Sequence, residues 1–358
     1  MKVCILGSGL TSLSLAKTLI NQGLSVDLIS SHQKNFYDKS QTIGISKSNV
    51  DFFNTNILNI NKLLWKINKI EVYSESLNNK KILDFEQSNK ELFSIIKNYE
   101  LYNLLSKTLK KNKFFKVKKK IKKILVNKEY DLIINSDTNH LITKKYFFKK
   151  FYKNYDSYGH VTVIEHERIN NKSATQIFTK KGPLAFLPIS ETETSIVYSE
   201  KKEGIIKKDK LERIIKKFLK KYNIKKIYNP KSFLLKSSNL RTYKHKNILA
   251  FGDLLHRLHP HAGQGFNMTV RDIKVLSELI KFRINLGIQL DQSICSEFEK
   301  KTKSKNFLFS NGIDFIYEFF NLEGKINTNM MSKSVQILGK NNLLNKYFIK
   351  LADKGISI

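Results

Sequence analysis

One stretch of the sequence differs from the rest in composition. The chain is rich in Lys, Asn and Ile, but FGDLLHRLHPHAGQGFNMTVRD, residues 251 to 272, holds three of the eight His, three of the fifteen Gly and one of the four Pro. Glycine permits backbone conformations and close approaches that other residues do not, and proline fixes the backbone at a turn. We therefore take this stretch as the first candidate for a functional loop. Its His256 and His261 are interpreted as loop residues without a catalytic role, and contact between His256 and a bound group is the alternative.

A second glycine-rich turn lies at the start of the chain. In KVCILGSGLTSL, Gly7, Gly9 and Ser12 occupy the three places of a dinucleotide-binding turn. Gly7 allows the tight turn, and Gly9 lets a pyrophosphate approach the first N–H groups of a helix, where the helix dipole favours an anion. Ser12 is small enough for the third place, which is normally Gly or Ala. The acid that would bind an adenosine ribose is replaced by Ser30, and a purely structural glycine turn is the alternative interpretation.

The hydrophobic pattern predicts the elements that must position these turns. A buried strand at 3–6, a helix from Leu10 and a second strand at 25–30 form a βαβ unit. This is the context in which a glycine turn is typical of dinucleotide binding. Alternation with a period of two predicts an antiparallel sheet from about 158 to 200. The remaining pattern predicts further buried strands at 129–137 and 246–253, and helices at 47–65, 92–110, 208–222, 267–285 and from 290 to the end. An α/β nucleotide-type domain is thus interrupted by a mostly antiparallel domain and then resumed.

The formal net charge of +33 has two interpretations. One is a polyanionic partner, either nucleic acid or an anionic membrane surface. The other, which we favour, is lysine enrichment at solvent positions, because the lysine runs are interleaved with apolar residues as in ordinary amphipathic elements. The sequence shows neither zinc-ligand spacing nor an RNA-binding aromatic motif, so nucleic acid is the less favoured partner.

Other bulk features favour a cytoplasmic protein. Two cysteines, Cys4 and Cys295, are too few for a disulfide framework, which favours a reducing compartment. No apolar run reaches the roughly 18 residues of a membrane span. The first residues continue directly into a strand pattern and lack the layout of a signal peptide.

The two motifs together carry a family resemblance. A strand followed by GD and then HPHAGQGFNMTVRD resembles the FAD-dependent aromatic-ring hydroxylases, and most closely the branch that acts in ubiquinone biosynthesis. Segments at 41–53 and 174–189 are also similar to that branch, and the resemblance covers nearly the whole chain. It implies an α/β fold of the para-hydroxybenzoate hydroxylase type. In this fold a Rossmann-type FAD-binding domain (1–65, 92–150 and 240–290) is interleaved with a mostly antiparallel substrate domain (66–91 and 151–239) and followed by C-terminal helices (291–358).

The resemblance also implies the roles of individual residues. Asp253 would hold the ribityl chain of FAD, and the loop after it would line the flavin ring, with His259 at its start. Glycines suit this place because a ring packed against backbone leaves no room for Cβ atoms. The residues expected to shape the reaction site are Pro260, Gly263, Gln264 and Gly265. The expected cofactor-binding residues are Gly7, Gly9, Leu10, Ser12, Ser30, Gln41, Asp137, Gly252, Asp253, Ala262, Gly263, Gly265, Phe266 and Asn267. Arg271 and Asp272 are expected to pair structurally.

The implied reaction is hydroxylation of the aromatic ring of a polyprenylated phenol, with O2 as oxygen donor and NADH or NADPH as reductant. Four positions depart from the family pattern: Ser12, Ser30, Gln41, where Arg is usual, and Thr138, where a glycine is usual. These departures favour a first alternative, a divergent flavoprotein oxidoreductase or a flavoprotein that binds quinone intermediates without turnover. A second alternative is a basic protein that binds a membrane surface or nucleic acid.

The expected partners follow from the substrate. A polyprenylated phenol resides in the bilayer, so the protein is expected to be cytoplasmic, to act peripherally on the inner face of the membrane, and to join a ubiquinone-biosynthesis complex. The segment 341–356 places Leu343, Leu344, Phe348 and Leu351 at helical spacing among lysines, which suits a helix lying on an anionic leaflet. Packing of this segment on the protein core is the favoured alternative.

Overall fold

The computed structural model describes residues 1–30, 41–86, 91–118, 129–201, 204–218, 221–258, 263–326 and 328–356. It opens with the predicted βαβ unit, formed by strand β1 (Lys2–Leu6), helix α1 (Leu10–Asn21) and strand β2 (Ser25–Ile29). β1 and β2 are parallel and in register from Lys2 opposite Ser25 to Leu6 opposite Ile29.

A six-stranded sheet is built around this unit. It adds β8 (Phe115–Lys118), β9 (Leu132–Asn135), β16 (Lys244–His245) and β17 (Ile248–Ala250) in the order β16-β17-β9-β1-β2-β8. All neighbours are parallel except β16 and β17. The central strands are almost entirely apolar and buried, as expected for a parallel sheet covered on both faces. The predicted strands at 129–137 and 246–253 are confirmed, although both are shorter.

A nine-stranded sheet forms the second layer. Its strands are β5 (Lys69–Ser74), β6 (Lys80–Glu86), β10 (Lys150–His166), β11 (Ser173–Phe178), β12 (Pro183–Pro188), β13 (Glu193–Lys201), β14 (Ile224–Ile227), β15 (Lys231–Leu240) and β18 (His256–Arg257). They lie in the order β18-β15-β10-β13-β12-β11-β5-β6, with β14 also paired to β10. All pairs are antiparallel except β11 with β5, which confirms the antiparallel prediction for 158–200. Helix α5 (Lys208–Phe218) shares an apolar core with this sheet, and Tyr222 lies beyond the helix that was predicted to reach it.

The helices predicted at 47–65 and 92–110 are confirmed only in part. A small sheet of β3 (Thr42–Ser46), β7 (Phe93–Lys97) and β4 (Trp65–Ile67) uses the ends of both segments. Helix is limited to α2 (Lys47–Phe52), a π turn (Phe53–Ile57), a 3-10 turn (Asn61–Leu63) and α3 (Asn98–Lys110). Short apolar runs do not distinguish helix from strand, and here β7 becomes a strand because β3 and β4 pair with its two edges.

The helical prediction for the last third of the chain is confirmed. After α4 (Leu141–Tyr146) and α6 (Gln264–Asn285), the chain ends in α7 (Gln292–Ile326), α8 (Met330–Leu338) and α9 (Asn342–Lys354). Within the described ranges, the helices are too short or too polar to cross a membrane. The division of the chain into the three domains given above stays a prediction.

Candidate functional site

The glycine turn formed by Gly7 to Gly9 joins the carboxyl end of β1 to α1. Gly7 has a φ of +119°, and a Cβ there would lie 2.6 Å from Oγ of Ser136 and 3.0 Å from Oγ of Ser12. The hydroxyls of Ser12 and Ser136 are hydrogen-bonded at 2.6 Å. The third place of the motif therefore tolerates serine because its hydroxyl finds a partner at the end of β9. Only a glycine fits at position 7 without displacing that pair.

The start of α1 is open to an anion. Gly9 precedes the helix with φ −80° and ψ −179°, and no side-chain hydrogen bond caps the first turn, which begins at Leu10. The first N–H groups of a helix lack intrahelical partners and carry a partial positive charge. Residues Gly9 to Ser12 therefore supply the donors that a phosphate or pyrophosphate requires.

The glycine turn at Gly252 lies against the turn that begins at Gly7. Gly252 has a φ of +64°, and a Cβ there would lie 2.7 Å from Cγ2 of Thr11. The neighbouring Phe251 N–H donates to the carbonyl oxygen of Asn135 at 2.8 Å, so this turn leaves the sheet at the same edge as the first. Two turns 245 positions apart in sequence thus come into contact at the carboxyl ends of parallel strands, where ligands bind in open α/β sheets.

Asp253 is placed to contact a ligand. Its side chain is exposed although Gly252 and Leu254 on either side are buried. No hydrogen bond or ion pair to another described residue engages its carboxylate. A carboxylate at the end of a strand, without a partner in the described chain, can accept hydrogen bonds from ligand hydroxyl groups.

The last two glycines of the 251–272 stretch lie at the start of α6. Gly263 has φ +56° and ψ 19° at the N-terminus of this helix, and a Cβ there would lie 3.8 Å from the backbone nitrogen of Gly44 in β3. A Cβ on Gly265 would have no described atom within 4 Å and would point into open space. The backbone at Gly263 therefore lies close against that of Gly44, and the open space lies beside Gly265. His259, Pro260 and Ala262, which were predicted to line the ring, lie outside the described residues, as does His261.

Asn267 holds this arrangement together. Its Oδ1 accepts from the N–H of Ser46 and from Nδ2 of Asn49, both at 2.8 Å. Its Nδ2 donates to the carbonyl oxygens of Gly44 at 2.9 Å and Gly263 at 3.0 Å. Since the protein satisfies both donors and both acceptor positions of the amide, the structure assigns Asn267 to positioning the loop on β3 and α2.

Arg271 and Asp272 do not pair as predicted. The carboxylate of Asp272 binds Nε2 of His256 at 2.7 Å and Nδ2 of Asn306 at 3.0 Å. The guanidinium of Arg271 instead donates to Oε1 of Gln264 at 3.3 Å and lies over the ring of Phe309. Successive residues of a helix point in different directions, which separates the two charges.

Arg271 and His256 both lie beside carboxylates. Burial lowers the pKa of Arg271 to about 10, and the nearby charges of Asp272 and Asp353 oppose this shift. His256 is buried and bound to Asp272, which favours the interpretation of this histidine as a residue without a catalytic role.

The other predicted residues have local contacts within the protein. The carboxylate of Asp137 accepts from the N–H of Asn139 at 2.8 Å, and Ser30 directly follows β2. Gln41 is exposed ahead of β3, and its carbonyl oxygen accepts from the N–H of Asn98 at 3.0 Å. Phe266 packs against Phe53, with 6.4 Å between the ring centroids.

Sequence reasoning missed a contact between the two layers. Oγ1 of Thr42 in β3 donates to Oγ of Ser195 in β13 at 3.0 Å, which joins the small sheet to the nine-stranded sheet. On the same face of the nine-stranded sheet, Nε2 of Gln176 and Oγ of Ser199 are buried and have no hydrogen-bond partner among the described residues. The period-two pattern located this face but could not identify which of its polar atoms would remain unpaired.

Comparison with known proteins supports the resemblance. No protein-family profile matches the sequence. The chain is 27% identical to ubiquinone hydroxylase UbiL of Rhodospirillum rubrum over 168 residues, 45% of this chain and 39% of that protein. It is 24% identical to 3-demethoxyubiquinol 3-hydroxylase of Escherichia coli over 164 residues, 44% of this chain and 42% of that protein. The matches thus span less than half of these relatives' lengths.

Solved structures establish the fold. The p-nitrophenol 4-monooxygenase PnpA of Pseudomonas putida superimposes with a TM-score of 0.79 and 11% identity, covering 99% of this chain and 98% of that one. HpxO of Klebsiella pneumoniae, solved with FAD and uric acid, superimposes with a TM-score of 0.77 and 12% identity, covering 99% of this chain and 96% of that one. The chain therefore has the fold of the FAD-dependent aromatic monooxygenases, and part of its sequence is similar to ubiquinone-biosynthesis hydroxylases.

Proposed function

We propose that the protein is a FAD-dependent monooxygenase that hydroxylates the ring of a polyprenylated phenol in ubiquinone biosynthesis, with O2 and NADH or NADPH. The observation that carries this proposal is the contact between Gly252 and Thr11, which brings Asp253 to the open end of α1. The named activities of the curated relatives support the substrate class.

The described residues fit FAD at three points. The first turn of α1 offers N–H groups for the pyrophosphate, and Asp253 offers a carboxylate for the ribityl hydroxyls. Gly265 borders open space at the start of α6, where a flat ring would lie against bare backbone. Bound FAD would supply the activation of oxygen, and the chain contributes binding, orientation and exclusion of water.

The substrate would lie between the small sheet and the nine-stranded sheet. Ala185 and Val197, adjacent across β12 and β13, provide a floor of small side chains on the face that carries Gln176 and Ser199. A buried amide or hydroxyl without a partner is costly. The amide of Gln176 and the hydroxyl of Ser199 would therefore bind the polar groups of the phenol, and the apolar floor would accept its ring.

A second candidate is a flavoprotein that binds a quinone intermediate without hydroxylating it. The engagement of the Asp137 carboxylate by the Asn139 N–H favours it, because this acid is then less available to a cofactor. Ser30 favours it as well, since serine lacks the charge that would hold a ribose.

The experiment is to purify the protein and record its visible spectrum. Oxygen uptake driven by NADH or NADPH is then measured with a short-chain prenylated phenol in detergent, and the product is analysed for label from 18O2. Flavin absorbance with incorporation of one labelled oxygen supports the hydroxylase. Flavin without labelled product indicates the second candidate, and the absence of flavin after reconstitution with FAD would refute both.

The proposal extends to the location of the protein. A substrate with a polyprenyl tail requires contact with the bilayer, so a cytoplasmic protein held peripherally on the inner face of the membrane fits this function. Association with a ubiquinone-biosynthesis complex would pass the substrate between enzymes.

A further inference from the structure

Helix α7 buries a stripe of polar residues beside its buried apolar ones. Four polar positions at four-residue spacing are buried, with exposed fractions of 3% for Thr302, 9% for Asn306, 0% for Ser310 and 6% for Asp314. A helix on a soluble protein normally buries its apolar residues and exposes its polar ones. Here polar residues take up part of the buried side, while other apolar residues of the same helix remain outside.

Specific hydrogen bonds fix the orientation of α7. Nδ2 of Asn306 donates to Asp272, and Oγ of Ser310 accepts from Nδ2 of Asn239 at 3.0 Å. Oδ2 of Asp314 accepts from Oγ of Ser237 at 3.1 Å. Rotating the helix to bury its apolar side would break all three bonds and leave buried polar groups unpaired, which is costly.

The outward side of α7 is apolar. Leu308, Phe315, Leu322 and Ile326 are 50%, 67%, 45% and 55% exposed and recur at spacings of seven, seven and four residues, which places them on one side of the helix. Exposed apolar residues continue in α8 and α9. We call the whole set the outer face; it comprises Phe307, Leu308, Phe315, Ile316, Leu322, Ile326, Met330, Ile337, Leu338, Leu343, Tyr347 and Phe348.

The charge around the outer face is mostly positive. Residues 306 to 356 contain six Lys, all of them exposed, and four acids. Asp314 and Glu323 are buried, the carboxylate of Asp353 accepts from the N–H of Ser48, and Glu318 is paired with Lys153. The surface that surrounds the apolar residues is therefore positive.

We propose that the outer face docks on an anionic lipid bilayer, with the apolar side chains of α7 in the acyl boundary and the lysines at the headgroups. This combination is that of an interfacial helix. A second copy of the chain fits less well, since its own lysines would face these at close range. Nucleic acid would engage the lysines through its phosphates but would not cover aliphatic residues. The inference rests on the proposed membrane-derived substrate and names the surface that reaches it.

The surface differs from the one that the sequence predicted. In α9, Leu351 packs on the apolar cluster of Leu258, Met268, Phe309 and Ile313, and Leu344 is partly buried. The helix thus contributes only its Leu343, Tyr347 and Phe348 side, and most of the exposed apolar surface lies on α7.

The test is co-sedimentation of the full chain with vesicles of phosphatidylcholine alone or mixed with phosphatidylglycerol. Wild type is expected to bind only the anionic vesicles. The double variant Phe315→Gln/Ile316→Gln, which keeps the charge, is expected to bind them about tenfold more weakly. The matched control is Leu141→Gln/Ile205→Gln, since these residues are 77% and 85% exposed and lie outside the C-terminal helices. The control should bind as wild type does.

Equal binding by the α7 variant, or no binding by wild type, would overturn the proposal. A wild-type dimer that becomes monomeric in the α7 variant during sedimentation would overturn it in favour of a second copy. Flavin absorbance and turnover of a detergent-solubilised phenol are measured on the same samples. The α7 variant should keep both, so that failure of docking and failure of the proposed chemistry are distinguished.

Discussion

Nδ2 of Asn267 donates to the carbonyl oxygen of Gly44 at 2.9 Å, across 223 positions of sequence. The bond ties the first turn of α6 to β3 and keeps the bare backbones of Gly44 and Gly263 facing each other. One buried side chain, which has no hydrogen-bonding capacity left for a ligand, therefore fixes the start of α6 against β3.

The first prediction concerns this side chain. Asn267→Asp keeps the shape but removes both donors and places a charge at a buried position, so we expect the free energy of unfolding to fall by about 2–4 kcal/mol. Denaturant unfolding measures this. Asn311→Asp, at an exposed position of α7, is the matched control and should change stability little. A fully stable Asn267→Asp protein would show that the four hydrogen bonds contribute little.

Asp253→Ala should weaken FAD binding without unfolding the protein. Hydrogen bonds to a charged group contribute about 1.5–3 kcal/mol, which corresponds to roughly a tenfold to hundredfold increase in Kd. Titration of the apoprotein by flavin fluorescence measures the change, with Asp209→Ala in the exposed first turn of α5 as control. Unchanged affinity would remove Asp253 from the cofactor site.

Two glycines of the site should respond differently to a side chain. Gly252→Ala puts a Cβ 2.7 Å from Thr11 at a φ of +64°, so we expect it to destabilise the fold by at least about 1–2 kcal/mol. Gly265→Val should leave the free energy of unfolding within about 1 kcal/mol of wild type, because valine and glycine differ little in helix propensity and the side chain enters open space.

Flavin binding and product formation give the second readout for this pair. Gly265→Val should lose one or both, since its side chain fills the space proposed for the ring. Wild-type rates of hydroxylation in this variant would exclude the space beside Gly265 from the reaction site.

Stability should fall as the pH drops below 6.5, in part because of His166. Burial lowers the pKa of this histidine, opposed by its hydrogen bond to the carbonyl oxygen of Glu167, and Nε2 lies 3.0 Å from Oγ1 of Thr194. The unfolded chain, with a histidine pKa of about 6.5, then binds protons that the folded state does not. The stabilisation from neutral His166 is fully present above pH 6.5, the pKa in the unfolded chain. It is lost as the pH falls through the lower pKa of the folded state.

Unfolding free energies of wild type and His166→Gln at a series of pH values test this prediction. The variant should be less stable at neutral pH, because it alters a buried network, but should lose less stability on acidification. Parallel pH profiles would assign the acid sensitivity to other groups.

The sequence alone determined the features that depend on local backbone and on periodicity. The apolar run at 3–6, the glycine turn and Leu10 specify a βαβ unit whatever the rest of the chain does, because turn geometry and helical spacing are local properties. The period of two likewise specified the antiparallel sheet, and the long helical pattern specified the C-terminal helices.

Tertiary structure decided which partner each of these residues meets. β7 is a strand because β3 and β4 flank it, and Asp272 binds His256 and Asn306 instead of its neighbour Arg271. The sequence shows α7 as a helix with apolar residues, but only packing against β15 and α6 shows that Asn306, Ser310 and Asp314 are among its buried residues. Hydrogen bonds and burial between distant segments depend on which elements lie next to each other, and the period of a single segment does not contain that information.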